Sequence, residues 1–124
     1  MTVRHYSDLI AWQKAMDLAV MIYDSTDGFP RREMFGITNQ MRRAAVSIPS
    51  NIAEGQGRST TKDFVNFLYI SKGSLQELET QVILSNRLTF LSDAHRAEVL
   101  ERTSEIARIQ NGLIRSLEAP TAAD

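Results

Sequence analysis

One row of polar residues in the middle of this chain has the spacing and the chemistry of a binding edge. The row consists of Arg43, Ser47, Asn51, Glu54 and Arg58. Its steps of +4, +4, +3 and +4 place all five residues on one side of a helix. Guanidinium groups donate strong hydrogen bonds to carboxylates and phosphates, and an amide can bridge polar partners. The row can therefore bind an anion, or it can form a polar network within the protein.

A second polar row follows later in the chain, at Ser74, Glu77 and Gln81. If the two rows face each other, either arginine of the first row can pair with Glu54 or Glu77. The structural interpretation is a network that fixes helix register or a subunit contact, since buried networks specify packing more reliably than they add stability. The functional interpretation is a small-molecule or anion site lined by the two arginines. The sequence leaves both open.

No residue set in the chain has the spacing of a catalytic or metal site. Neither His5 nor His95 has a glutamate three residues before it, as the Glu-x-x-His pairs of di-iron bundles require. The chain contains no cysteine, which excludes disulfides and zinc–thiolate sites. Gly55-x-Gly57 is not followed by the Gly-Lys-Thr of a phosphate-binding loop, and no serine occupies a nucleophile elbow. We therefore predict a protein that is not an enzyme and that uses no metal and no cofactor.

Charge is distributed unevenly along the chain, although the net charge is only −1. Residues 31–72 carry seven Lys or Arg against three acidic residues, a local balance of +4. The segments before and after it sum to −2 and −3. A basic middle segment can contact a polyanion, or it can be an ordinary solvated helix face.

Apolar residues recur with the period of a helix in almost every segment, and no run alternates like a strand. The pattern predicts four helices, which begin near Ser7 or Asp8, near Arg32, at Ser59 and at Ser92. Short connections favour an all-α, antiparallel up-down-up-down four-helix bundle. We expect a single domain over residues 1–118 and a disordered tail over residues 119–124.

The first helix carries more apolar residues than one face of a bundle needs. Its predicted core face consists of Leu9, Trp12, Met16, Ala19, Val20 and Tyr23. A second apolar set lies away from that face and consists of Ile10, Leu18, Met21 and Ile22. A helix at the surface of a bundle buries a stripe of roughly 100°. The second set therefore predicts another buried surface, which on a small protein indicates self-association.

Pro49 falls inside the second predicted helix, where it has no N–H to donate to the carbonyl of Ala45. A proline in a helix interior costs about 3 kcal/mol. The apolar row nevertheless continues from Ile48 to Ile52. We therefore predict one long helix that is kinked at Pro49.

Composition and local hydropathy indicate a protein that makes no membrane contact. The chain is 43% hydrophobic and 23% charged, as expected of a globular domain. Its apolar runs are too short to span a bilayer, and its first residues lack the apolar core of a secretion signal. We expect a cytoplasmic location.

The segment from Gln40 to Arg58, QMRRAAVSIPSNIAEGQGR, carries a resemblance to a known family. The supporting motifs on either side are Phe29-Pro30, Glu33-x-x-Gly36 and the run from Gly73 to Gln81. Together they resemble the four-helix bundle proteins first noticed in intervening sequences of bacterial large-subunit ribosomal RNA genes. The resemblance spans residues 6–117.

This resemblance implies a closed bundle that assembles as a ring-like homopentamer. It also brings in a relative, the accessory variability protein of diversity-generating retroelements, a basic pentamer that binds nucleic acid and its reverse transcriptase. On that analogy the candidate nucleic-acid contacts are Arg42, Arg43, Arg58 and Lys62. The present chain departs from its basic relative in its net charge of −1. The expected function is an oligomeric scaffold or adaptor with an RNA or protein partner, and the alternative is the small-molecule or anion-binding bundle.

Overall fold

The computed structural model describes residues 5–120 and contains four α-helices in that range, with no strand. They are α1 (Ile10–Thr26), α2 (Ile37–Gln56), α3 (Thr61–Arg87) and α4 (Asp93–Glu118). The predicted all-α, four-helix fold is confirmed. The ends of the predicted domain and tail, residues 1–4 and 121–124, lie outside the described residues.

Local side-chain caps explain where two of the helices begin. The Thr60 hydroxyl accepts a hydrogen bond from the Asp63 backbone N–H at 3.1 Å, and α3 begins at the next residue. The Ser92 hydroxyl accepts from the His95 N–H at 3.1 Å and caps α4 in the same way. Each cap satisfies a backbone donor that the first turn of a helix leaves unpaired.

The second helix begins later than its sequence pattern suggests. The prediction placed its start near Arg32, but residues 31–33 form a single 3-10 turn and α2 starts at Ile37. Gly36 lies between them with φ −108° and ψ −121°, far from helical values. This residue redirects the chain before α2 begins, so the arginines at 31 and 32 are not part of the long helix.

Cross-helix hydrogen bonds show how neighbouring helices are aligned. Ser85 and Ser71 of α3 donate to the Met41 sulfur and the Ile48 carbonyl of α2, so residue numbers rise along α2 as they fall along α3. Thr103 likewise donates to Glu79, across from α4 to α3. The α1 helix packs against α2 and α4. The complete up-down-up-down order and a kink at Pro49 stay predictions; Pro49 itself is buried inside α2, which continues to Gln56.

The core-facing side of α1 is not the one predicted. The buried residues of α1 are Ala11, Ala15, Leu18, Ile22 and Thr26. Leu18 and Ile22, assigned above to a second surface, are fully buried, whereas Met16, Val20 and Tyr23 are exposed. Trp12 and Ala19 of the predicted face are partly buried against the core, and Ile10 of the second set is exposed, as the prediction had it. Both sets have helical spacing, so periodicity alone cannot choose between them. The buried side also contains the small residues Ala11 and Ala15.

Candidate functional site: the α1–α2 groove and its polar edge

The exposed apolar side of α1 forms one wall of a groove, and α2 forms the other. Near the start of α2, a cavity of about 650 Å³ is lined by Tyr23, Met34, Phe35, Thr38, Asn39, Arg42, Arg43, Val46 and Ser47. Farther along, one of about 530 Å³ is lined by Tyr6, Trp12, Met16, Ala19, Val20, Val46, Pro49, Ser50, Ala53 and Glu54. Val46 borders both cavities, so they are two ends of one groove. We call them the Phe35 end and the Trp12 end.

Ser47 and Asn51 of the polar row form a hydrogen-bonded cluster with Ser74, and this cluster joins α2 to α3. The Ser47 and Ser74 hydroxyls are 2.9 Å apart. Asn51 donates to the Ser47 carbonyl at 2.8 Å and to the Ser47 hydroxyl at 2.9 Å. Ser74 also donates to the Ile70 carbonyl. Because these polar atoms bond to one another, Asn51 positions Ser47 and does not reach an arginine.

The other members of the two predicted rows form separate pairs. Arg58 donates to Glu54 at 2.9 Å on the exposed surface, and its guanidinium lies 4.8 Å from the centre of the Phe67 ring. Gln81 donates to Glu77 at 3.3 Å within α3. The two predicted rows together contain eight residues, and seven of them fall into three separate hydrogen-bonded groups. Arg43 is the eighth and belongs to none of these groups. Arg43 is exposed and makes no ion pair within residues 5–120.

Arg42 holds α2 against the end of α1. Its Nε donates to the Thr26 hydroxyl at 2.9 Å, and a terminal nitrogen donates to the Tyr23 carbonyl at 3.3 Å. The guanidinium also lies 4.7 Å from the centre of the Tyr23 ring. A positive charge at the carboxyl end of a helix is favourable because the helix dipole is negative there. Arg42 is thus committed to the fold, unlike its exposed neighbour Arg43.

The four candidate nucleic-acid contacts do not form one cluster. Arg42 and Arg43 line the Phe35 end of the groove. Arg58 follows the carboxyl end of α2 and Lys62 lies in the first turn of α3. From Arg42 to the end of α2 at Gln56 is fourteen residues of helix, about 21 Å at 1.5 Å per residue, and Arg58 lies beyond that end. Lys62 is exposed and has no salt bridge among the described residues.

Sequence reasoning missed a polar chain inside the bundle. The Gln110 side-chain amide of α4 donates to the Ser71 hydroxyl, which donates to the Ile48 carbonyl of α2 at 2.9 Å. Gln110 and Ser71 are both fully buried. A sequence signal was available for Ser71, which falls at helical spacing between Leu68 and Leu75 in the buried row of α3. Gln110 carries the same signal, because it lies four residues from both Ile106 and Ile114 in the buried row of α4.

Substitutions at Ser71 and Gln110 are expected to lower the free energy of unfolding by different amounts. In Ser71→Ala the buried Gln110 amide loses its partner, which costs about 1–3 kcal/mol of unfolding free energy. Gln110→Met removes that amide together with its oxygen, which has no partner within the described chain, and it keeps a similar volume. We expect it to cost less than about 1 kcal/mol. Urea unfolding measures both, and equal losses would contradict the assigned role of Ser71.

Two features are absent from the described residues, a metal-binding cluster and a membrane-spanning helix. Across residues 5–120, no three His, Cys, Asp or Glu side chains gather in a way that could hold a metal ion. None of the helices in this same range is long and apolar enough to cross a membrane.

Comparison with known proteins adds a family and a fold. The family profile of the 23S rRNA-intervening sequence protein matches residues 7–112. A crystal structure from Bacteroides thetaiotaomicron, of a protein of unknown function from the S23 ribosomal protein family, is similar with a TM-score of 0.77. The two sequences are 23% identical, and the match covers 86% of this chain and 99% of the other. At that identity the likeness shows the fold alone. No curated protein matches the chain.

Proposed function

Because the chain belongs to the 23S rRNA-intervening sequence protein family, we propose that it is a non-enzymatic homo-oligomeric scaffold or adaptor, assembled as a pentamer, with RNA or a nucleic-acid-associated protein as partner. The α1–α2 groove carries this proposal, because its apolar lining is uncovered in the single chain. An exposed apolar surface of this kind typically marks a site of association. The number of five subunits comes from the family resemblance.

The first test is the mass of the particle in solution. Light scattering on a size-exclusion column at micromolar concentration is expected to give about 70 kDa, for five copies of a 14.0 kDa chain. A monodisperse species of one chain mass would remove the oligomeric scaffold from consideration. A defined oligomer of another size would keep the scaffold and correct the subunit number.

The RNA partner is supported by the basic segment and by Lys62. Lys62 is the most suitable candidate to test, because Arg42 and Arg58 are engaged and Arg43 lies in the groove. Binding of a fluorescein-labelled RNA oligonucleotide is expected to weaken as salt rises, since each phosphate contact releases a counterion. The logarithm of the binding constant falls linearly with the logarithm of the salt concentration. Lys62→Gln should make this slope shallower by about 1, the change expected for one lost phosphate contact.

Lys14→Gln is the matched control for this measurement. It removes the same charge outside the basic segment, at a residue that pairs with Glu105 at 3.2 Å. We expect it to leave the salt slope unchanged. If no RNA binds even at low salt, the RNA partner is wrong and the protein partner remains.

One observation favours the alternative of a small-molecule or anion-binding bundle. The Thr38 hydroxyl is buried and has no hydrogen-bond partner within the described residues, and Thr38 lines the Phe35 end together with Arg43. The hydroxyl can donate to a phosphate oxygen beside the arginine. In this alternative, inorganic phosphate raises the melting temperature and Thr38→Val abolishes the shift. An equal shift in both proteins would exclude the site.

A further inference from the structure

Phe35 is an apolar side chain with no place in its own bundle. It lies in the connection before α2 and is 93% exposed, and its neighbour Met34 is also exposed. Burying a phenylalanine that is otherwise exposed to water is strongly favourable. The side chain therefore projects from the Phe35 end of the groove as an apolar knob.

The Trp12 end of the same groove is an apolar depression that could accept an apolar side chain such as phenylalanine. Met16, Val20, Pro49 and Ala53 are among the side chains that line it, and Glu54 is the only charged residue of the lining. The chain's own Phe35 cannot fill this depression. Along α2, the distance from Ile37 to Pro49 is twelve residues, about 18 Å.

The two ends of the groove are also complementary in charge. Arg43 lines the Phe35 end and makes no ion pair among the described residues. Glu54 lines the Trp12 end and also pairs with Arg58 of its own copy, so a second arginine would share the Glu54 carboxylate. Arg43 and Glu54 are eleven residues apart on α2, about 16 Å along the helix, so they cannot pair within one copy. A partner for Arg43 of the same kind as Glu54 would therefore have to come from a second copy.

We propose that the Phe35 end of one copy docks into the Trp12 end of the next copy, with Arg43 beside the neighbour's Glu54. This inference rests on the proposed self-association and assigns its interface. The contact joins two different surfaces of the same chain, so it is heterologous. Such contacts generate a closed ring when the rotation closes and a filament when it does not.

A mixing experiment tests the head-to-tail contact. Phe35→Asp removes the knob, and Val20→Asp places a charge in the depression. Both positions are exposed, so we expect both variants to fold, and circular dichroism can check their helix content. Each variant alone is expected to elute as a monomer. An equimolar mixture is expected to form a dimer, because one intact knob can meet one intact depression. The control is Leu84→Asp, at an exposed position on α3 outside the groove, and it should keep the wild-type mass.

The outcomes separate this inference from the proposed function. A monomeric wild-type protein would refute the self-association itself. A wild-type oligomer whose mass survives both groove variants would keep the scaffold and overturn the head-to-tail interface. Loss of assembly in Leu84→Asp alone would move the interface to α3 and also overturn it.

Charge reversal tests the contact between Arg43 and Glu54. Arg43→Glu and Glu54→Arg are each expected to raise the dissociation constant about tenfold or more, since like charges then face each other. The double variant restores opposite charges and should return to within about threefold of the wild-type value. Additive losses in the double variant would contradict the pairing.

Discussion

Replacing Gly55 with alanine is expected to lower the free energy of unfolding by about 1–3 kcal/mol, since extra atoms in a packed core cost about that much. A β-carbon at Gly55 would lie 2.6 Å from the Phe67 β-carbon and 3.2 Å from the Phe64 backbone carbonyl oxygen. These neighbours belong to α3, and neither atom is the end of a flexible side chain that could swing aside. The two helices must therefore separate where α2 ends.

Gly73→Ala is the matched control, because Gly73 also lies in a long helix but has no heavy atom within 4 Å of an added β-carbon. Alanine is the better helix former by about 1 kcal/mol, so this variant is expected to be more stable than wild type. Urea unfolding at one fixed protein concentration compares the two substitutions. If Gly55→Ala is as stable as wild type, the close approach of α2 to α3 is not as described. A loss in Gly73→Ala would indicate that a second copy approaches α3 at this point.

Replacing Leu18 with alanine is expected to lower the free energy of unfolding by about 2–5 kcal/mol. Leu18 is 0% exposed in the centre of the core-facing side of α1. The substitution removes buried methyl groups and leaves a cavity that close-packed neighbours cannot fill. The loss should not depend on protein concentration, because it arises within one bundle.

Val20→Ala tests the other side of α1. Val20 is 59% exposed and lines the groove, so its truncation is expected to cost little within the single bundle. Any loss of stability should grow with protein concentration, since the stability of an oligomer includes subunit association. Thermal unfolding of both variants over a range of concentrations measures this difference. A larger loss for Val20 than for Leu18 at every concentration would restore the original prediction of the core face.

Much of the fold was accessible from local signals. The periodicity of apolar residues located four helices. Thr60 and Ser92 cap the starts of α3 and α4, and both belong to residue types that favour this position. The predicted start of α2 was too early. Residues 31–33 are of types that suit a helix, but they form only one 3-10 turn that does not continue into α2. The backbone angles at Gly36 end that turn, and a glycine permits such angles without requiring them.

The candidate site was less accessible than the fold. The +4, +4, +3, +4 spacing correctly put four of the five polar residues along α2, whereas Arg58 lies just beyond its end at Gln56. Spacing does not say which of these residues find partners. Asn51 bonds to Ser47, and Arg58 bonds to Glu54, and these are short-range contacts. The commitment of Arg42 to Thr26 depends on how the end of α1 meets α2. Arg43 differs from Arg42 by one position in sequence, and only the packing distinguishes their roles.

The sequence by itself determined the helical class, the family and the amount of apolar surface, because these depend on residue types and on spacing within one segment. Only the tertiary structure decided which apolar side of α1 faces the core. Leu18 and Val20 belong to two apolar stripes that both have helical spacing, and the packing of α1 against α2 and α4 buries the Leu18 stripe. That choice leaves Val20 and its neighbours in an open groove with Phe35 projecting at one end. The groove therefore follows from packing, which is a property of the whole bundle and not of any one helix.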